Sequence, residues 1–377
     1  MNIQLVAIYP LSHWAKVLRR NLGYCHDKKR DADYLYNLQT AMNKNVESAD
    51  AIPDTPLIYQ CYLSISSNAF VANKWGGETM GLTLDGTYDV INVIDGDTIK
   101  TNLNGQDVNL RLPCIDTEET SSSSPLKPVT RFAIETTQWT KNWLAARNNK
   151  IELEYETDYV ITGFYDRHLT YVYAAGENYN LACVRQGYSP YFQKYGYSRG
   201  YHEAFLEAEQ QAMSDNLGIW NDTSHAGDTV RPYHLLKMWW DVRARQIELG
   251  REEKRRNNQL LYLPDGLDYD NAVLAATNRE ERQVFGEVKR VRIAGPGTLI
   301  ELSIKLRKQL SLYVYNDNPQ HDRIINYLTT RHLSLDTDLP NSLLKQNFVF
   351  VKGLLQIYHG KPEIIINDLA QIKEEPF

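Results

Sequence analysis

Acidic residues and arginines of the middle third gather in a pattern that suggests chemistry. Asp95 and Asp97 flank a glycine in VIDGDTIK; Asp116, Glu118 and Glu119 close RLPCIDTEET, which Arg111 opens; and Arg167 stands in YDRHLTYVY. Hard oxygen ligands brought together in this way suit Ca2+. Carboxylates mixed with guanidiniums fit phosphodiester hydrolysis, in which a cation and arginines neutralise the phosphoryl oxygens while a free carboxylate orients water. Taken one at a time these residues have plainer readings. An aspartate beside a glycine usually shapes a turn, and an arginine in a strand usually faces solvent. Asp95 is expected either to be such a turn former or to support the neighbouring site residues from behind.

The elements around them have to bring the two acidic segments together. YDVINVI, TIKTNL and DVNLRLPCI alternate apolar and polar residues, and they are separated by Asp95-Gly96-Asp97 and Asn104-Gly105. Asn-Gly between alternating runs is a strong hairpin signal, so a three-stranded antiparallel meander is predicted. Within it, the turn at Asp97 and the strand end at Asp116 can meet. Phe132, Thr136, Trp139, Trp143 and Ala146 share one helical face. IELEYE and LTYVYA supply two more strands, and five strands with a helix between the third and fourth match an OB-type barrel. NLACVRQG and HEAFLEAEQQAMS then read as helices.

VIDGDTIK, RLPCIDTEET, YDRHLTYVY, LACVRQGYSPYFQKYG and HEAFLEAEQQA…LGIW, in that order over about residues 85–222, resemble the staphylococcal nuclease (thermonuclease) family. The resemblance implies an OB barrel and a Ca2+-dependent endonuclease, a hydrolase that cuts DNA and RNA with little sequence preference and leaves 3′-phosphate ends. It also implies roles for single residues. Asp97 and Asp116 become metal carboxylates, the Thr117 carbonyl a third ligand, Glu119 the water-activating base, and Arg111 and Arg167 the phosphate-binding arginines. Tyr165 would flank the bound nucleotide, with Tyr191 or Tyr195 as companions. This chain departs from the family pattern where Glu118 replaces a proline and where Asp166 and His168 flank Arg167.

The whole chain has 377 residues, 42% of them hydrophobic, enough for more than one core and too many for global disorder. Its apolar runs are strand-length, far below the roughly 20 residues of a membrane span, and the start lacks a secretory pattern. A soluble, cytoplasmic protein is expected. Four cysteines without C-x-x-C spacing suggest reduced thiols and no structural zinc. Net charge is −6, unevenly spread: residues 85–222 carry 11 basic against 20 acidic side chains, and residues 283–377 carry 12 against 10. Attraction to nucleic acid must therefore be local.

The expected fold class is α+β, mainly β with helices. It comprises a partly helical segment 1–84, an OB-barrel nuclease domain 85–222, a charged helical linker 223–282, and a second OB-like barrel 283–377. In the last block, VFVKGLLQIYHGKPEIIINDLAQI is similar to the closing strands of OB-fold nucleic-acid-binding modules. Its Tyr313, Tyr315, Tyr358 and Lys361 are candidates for stacking and neutralising single-stranded DNA or RNA. The competing function is a catalytically silent nucleic-acid-binding scaffold with two OB barrels, but inert relatives of the family typically lose the arginines or the glutamate, and here all stand.

Overall fold

Alternating side chains build the first three strands: β1 (Leu82–Asp95), β2 (Thr98–Leu103) and β3 (Gln106–Arg111). The structure is a computed structural model that describes residues 82–121, 129–156, 167–221, 231, 233–264, 266, 268–305, 308–333 and 347–377. The helices expected before residue 82, Cys25, Cys61 and Tyr165 lie outside the described residues. Asn104 and Gly105 both have positive φ, 52° and 87°. That is the geometry a two-residue hairpin needs to match strand twist.

β3 ends at Arg111 instead of running on to Ile115 as its alternation suggested. Pro113 lacks an amide proton for the ladder, and Cys114 turns the chain with φ 62°. Helix α1 (Arg131–Ala145) starts where the Thr130 hydroxyl accepts from Ala133 N at 3.2 Å, and it buries Phe132, Thr136, Trp143 and Leu144. β4 (Lys150–Tyr155) pairs antiparallel with β1; β5 (His168–Leu169) runs parallel to β3; β6 (Tyr171–Ala174) pairs with β4 and with β7 (Glu177–Asn178). The sheet order is β5-β3-β2-β1-β4-β6-β7, an OB-type fold around Ile99, Leu110, Ile151, Leu153 and Val172. Helices α2 (Tyr179–Arg185) and α3 (His202–Ser214) follow.

Helix α4 (Tyr233–Arg256) is charged in sequence yet buries Trp239, Trp240, Arg243 and Ile247. Its first half joins Phe132, Ala212 and Trp220 in one cluster; its second half brings Ile247 against Phe285, Phe348 and Phe350. Gly250 lets the helix lie directly on Phe285, since a Cβ there would fall 2.4 Å from the ring. The described residues form one compact unit.

The second sheet comprises β8 (Leu261–Tyr262), β9 (Glu281–Ala294), β10 (Gly297–Lys305), β11 (Lys308–Tyr315), β12 (Phe348–Tyr358), β13 (Lys361–Ile365) and β14 (Ile372–Lys373), with α5 (Tyr269–Thr277) and α6 (His321–Arg331). The short strands β8 and β14 and helix α5 have no strong periodic signal in the sequence. β12 pairs with both β13 and β9, and β13 runs parallel to β11, so pairings pass round β9-β10-β11-β13-β12 and return to β9. Among the described residues no helix is long and apolar enough to cross a membrane.

Candidate active site

The turn between β1 and β2 is held from three sides. Asp97 N donates to Asp95 Oδ1 at 3.1 Å, Tyr179 Oη donates to the Gly96 carbonyl at 2.7 Å, and Leu112 N donates to the Asp97 carbonyl at 2.9 Å. Gly96 is required by close approach: a Cβ would fall 2.5 Å from Thr136 Cγ2 and 2.7 Å from Thr117 Cγ2. The turn is thus pressed against α1 and against the second acidic segment.

That segment is fixed by its main chain. Asp116 N donates to Ser189 Oγ at 2.8 Å, and Thr117 N donates to Asp97 Oδ2 at 3.0 Å. Arg111, opposite Thr98 in the β2–β3 register, reaches both acids: Nη1 lies 2.7 Å from Asp97 Oδ1 and Nη2 lies 3.1 Å from Asp116 Oδ1. Burial works against the Arg111 charge, but Asp97 and Asp116 more than offset it and hold the guanidinium protonated.

Asp95 shapes the turn, accepting from Asp97 N, and its carboxyl lies among the other acids of the cluster. Burial, and then the charges of Asp97 and Glu119, push its carboxyl up to about 7. The Glu119 charge acts on the Asp95 carboxyl, and a bridge pairs the Glu119 backbone with Val129. Arg167 immediately precedes β5, whose parallel pairing with β3 at Leu110 and Arg111 brings it to the strand that carries Arg111.

The tyrosines separate clearly. Tyr191 is fully buried, stacks on Phe205 at 4.9 Å and accepts from Ser198 N at 2.9 Å, so it has no face for a nucleotide and belongs to the core. Tyr195 is 68% exposed and its hydroxyl is felt by Arg111. In the second sheet Tyr313 is buried, with its hydroxyl donating to the Ala294 carbonyl at 2.8 Å, which leaves it unsuited to stack a base. Tyr315, Tyr358 and Lys361 are exposed.

Two residues that touch this cluster carry no signal in the sequence. Arg231 lies 115 residues from Asp116, donates from Nη1 to Asp116 Oδ2 at 2.6 Å and from Nη2 to the Asp116 carbonyl at 3.1 Å, and places Nε 3.3 Å from Glu118 Oε1. Tyr233 donates to the same Glu118 oxygen and accepts from Arg231 Nη2 at 3.0 Å. Burial opposes the Arg231 charge, but Tyr233, Asp116 and Glu118 hold its pKa well above the ordinary arginine value. The departure of Glu118 from the family pattern was the one available signal, and it gave no partner.

The donors fit a hard divalent cation by type: carboxylate oxygens of Asp97 and Asp116 and the main chain of Thr117. Among the described residues no three such side chains already converge as ligands, since guanidiniums stand between them.

Comparison with known proteins gives the family. A family profile described as "Staphylococcal nuclease homologue" matches residues 109–222. A thermonuclease from Staphylococcus hyicus is 35% identical over 137 residues, 36% of this chain and 76% of the relative. One from Staphylococcus intermedius is 32% identical over 134 residues, again 36% and 76%. The SPbeta prophage-derived endonuclease YokF of Bacillus subtilis is 29% identical over 152 residues, 40% of this chain and 47% of the relative. With its barrel, its two acidic segments joined by Arg111 and these relatives, the chain belongs to the staphylococcal nuclease family.

Proposed function

We propose that the protein is a Ca2+-dependent endonuclease that hydrolyses phosphodiester bonds of DNA or RNA with little sequence preference and leaves 3′-phosphate ends. The observation that carries this reading is Arg111 joining Asp97 and Asp116 at the C-terminal end of β3, in a chain of this family. Ca2+ held by Asp97, Asp116 and the Thr117 carbonyl would supply positive charge to the phosphoryl group. Arg111 exchanges its carboxylate contacts for phosphate oxygens, and its paired N–H donors match their geometry. Arg167 adds a second guanidinium. Glu119 takes a proton from the attacking water as the new P–O bond forms; the P–O5′ bond breaks and the 5′ oxygen leaves as a hydroxyl after protonation from solvent.

The domains proposed are 85–222 for cutting and 283–377 for capture, joined by 223–282. The second sheet is read as another OB-type barrel because its pairings close on themselves and β11 pairs in parallel with β13. Exposed Tyr315, Tyr358 and Lys361, and Tyr195 near Arg111, suit the stacking and neutralisation of single strands. The test is incubation of the purified protein with single-stranded and duplex DNA, with Ca2+ or with chelator. Cleavage that needs Ca2+ and favours single strands is expected; no Ca2+-dependent cleavage of either substrate would overturn the reading.

A further inference from the structure

Asp116 is flanked by two guanidiniums. Arg111 takes one carboxylate oxygen, while Arg231 takes the other and the main-chain carbonyl as well. Asp116, Glu118 and Arg231 are 2%, 2% and 6% exposed, so their charges are balanced by one another more than by water. Tyr233 closes the set by accepting from Arg231 and donating to Glu118. Arg231 therefore answers the question that Glu118 raises. A carboxylate put into a buried site needs a counter-ion, and this chain supplies it from the residue two positions before the start of α4.

We infer that Arg231 is a positioning residue that acts as a resident counter-ion of Asp116 and Glu118, fixing Asp116 in place and competing with the divalent cation for it. The inference rests on the metal reading given above. A cation at Asp116 meets a positive charge already 2.6 Å from the same carboxylate, so its binding is weaker than the two carboxylates alone would give. Glu118 holds Arg231 in place. Metal affinity in this chain is then tied to the start of α4, the helix that also packs on the second sheet.

Calorimetric titration of the full chain with CaCl2, without substrate, tests this. Arg231→Gln should bind Ca2+ at least about tenfold more tightly than the wild type, whereas Arg231→Lys, which keeps the charge, should stay close to it. A purely structural role predicts the opposite, weaker binding as Asp116 loses its support. Should Arg231→Gln fail to fold, the double variant Glu118→Gln/Arg231→Gln removes one buried charge of each sign and should still bind more tightly than the wild type. Equal or weaker affinity in whichever of these two variants is folded would overturn the inference alone. No Ca2+ binding by the wild type or by any variant would overturn both the inference and the metal reading.

Discussion

The two sheets follow one plan of pairing and differ in what hangs from it. In each, a three-stranded meander is followed by a helix, then by a strand antiparallel to the first and a strand parallel to the third. The β1–β2 turn carries Asp95 and Asp97, whereas the β9–β10 turn is Gly295-Pro296. Residues 112–130 separate β3 from α1 and carry Asp116 to Glu119, whereas only residues 316–320 separate β11 from α6. Where β3 ends in Arg111, β11 ends in Tyr315. One scaffold thus presents a charged, enclosed cluster in one place and an aromatic surface in the other. Function resides in what the strand ends and loops present, and the pairing plan does not decide it.

The largest expected contrast is at the two strand ends. Arg111→Lys should lower kcat about 100-fold or more, because a point ammonium cannot reach two acceptors as the fork does. The fold should survive, as judged by circular dichroism. Near-normal kcat in a folded variant would remove Arg111 from the site and erase the difference between the sheets.

Next comes the helix that serves both regions. Arg243, 1% exposed, donates to Glu287 Oε1 at 2.6 Å and to Asn347 Oδ1 at 2.8 Å. Arg243→Met should cost about 3 kcal/mol, the lower end for a broken buried pair, since Lys289 remains 3.3 Å from Glu287. Urea unfolding followed by tryptophan fluorescence and by circular dichroism measures it. Two separate transitions in the wild type would show that the regions are independent.

A smaller effect distinguishes the second region by pH. Burial and the Arg331 charge hold the His332 imidazole down at about 3, although Glu374 lies 3.6 Å from Nε2. The folded protein keeps this group neutral while the unfolded chain protonates it below its ordinary 6.5. Stability is therefore lost as pH falls from about 6.5 towards 3. At pH 5 the loss from this group is about 2 kcal/mol, and His332→Leu should flatten that part of the stability profile. An unchanged acid slope would mean that the imidazole is already protonated in the fold.

The smallest expected change is Tyr315→Ala, which should weaken binding of a short single-stranded oligonucleotide by about 1 kcal/mol, the value of one stacked base. Fluorescence anisotropy with chelator present measures it without cleavage. Tyr313→Phe, which removes only a hydroxyl bonded to the Ala294 carbonyl, should leave affinity unchanged. If both bind as tightly as the wild type, the aromatic surface does not capture single strands.

What the sequence determined by itself was local or carried by order. Period-two alternation, Asn104-Gly105 and the face of α1 depend on neighbours a few residues apart, and α3 is the segment its pattern marked. The acidic turn, Arg111 and the second acidic segment were legible because one meander brings them together. The rest needed the tertiary structure. Burial separated Tyr191 and Tyr313 from Tyr195 and Tyr315, since any of these tyrosines can serve a core or a surface and only packing decides. Arg231 joins Asp116 across 115 residues with no intervening pattern, and no periodicity encodes a contact of that length. The amphipathic pattern of residues 231–256 marked α4 as a helix with a packing face at Trp239 and Trp240, but not the burial of Arg243, because an arginine enters a core only once a partner from a distant strand neutralises it, as Glu287 does here.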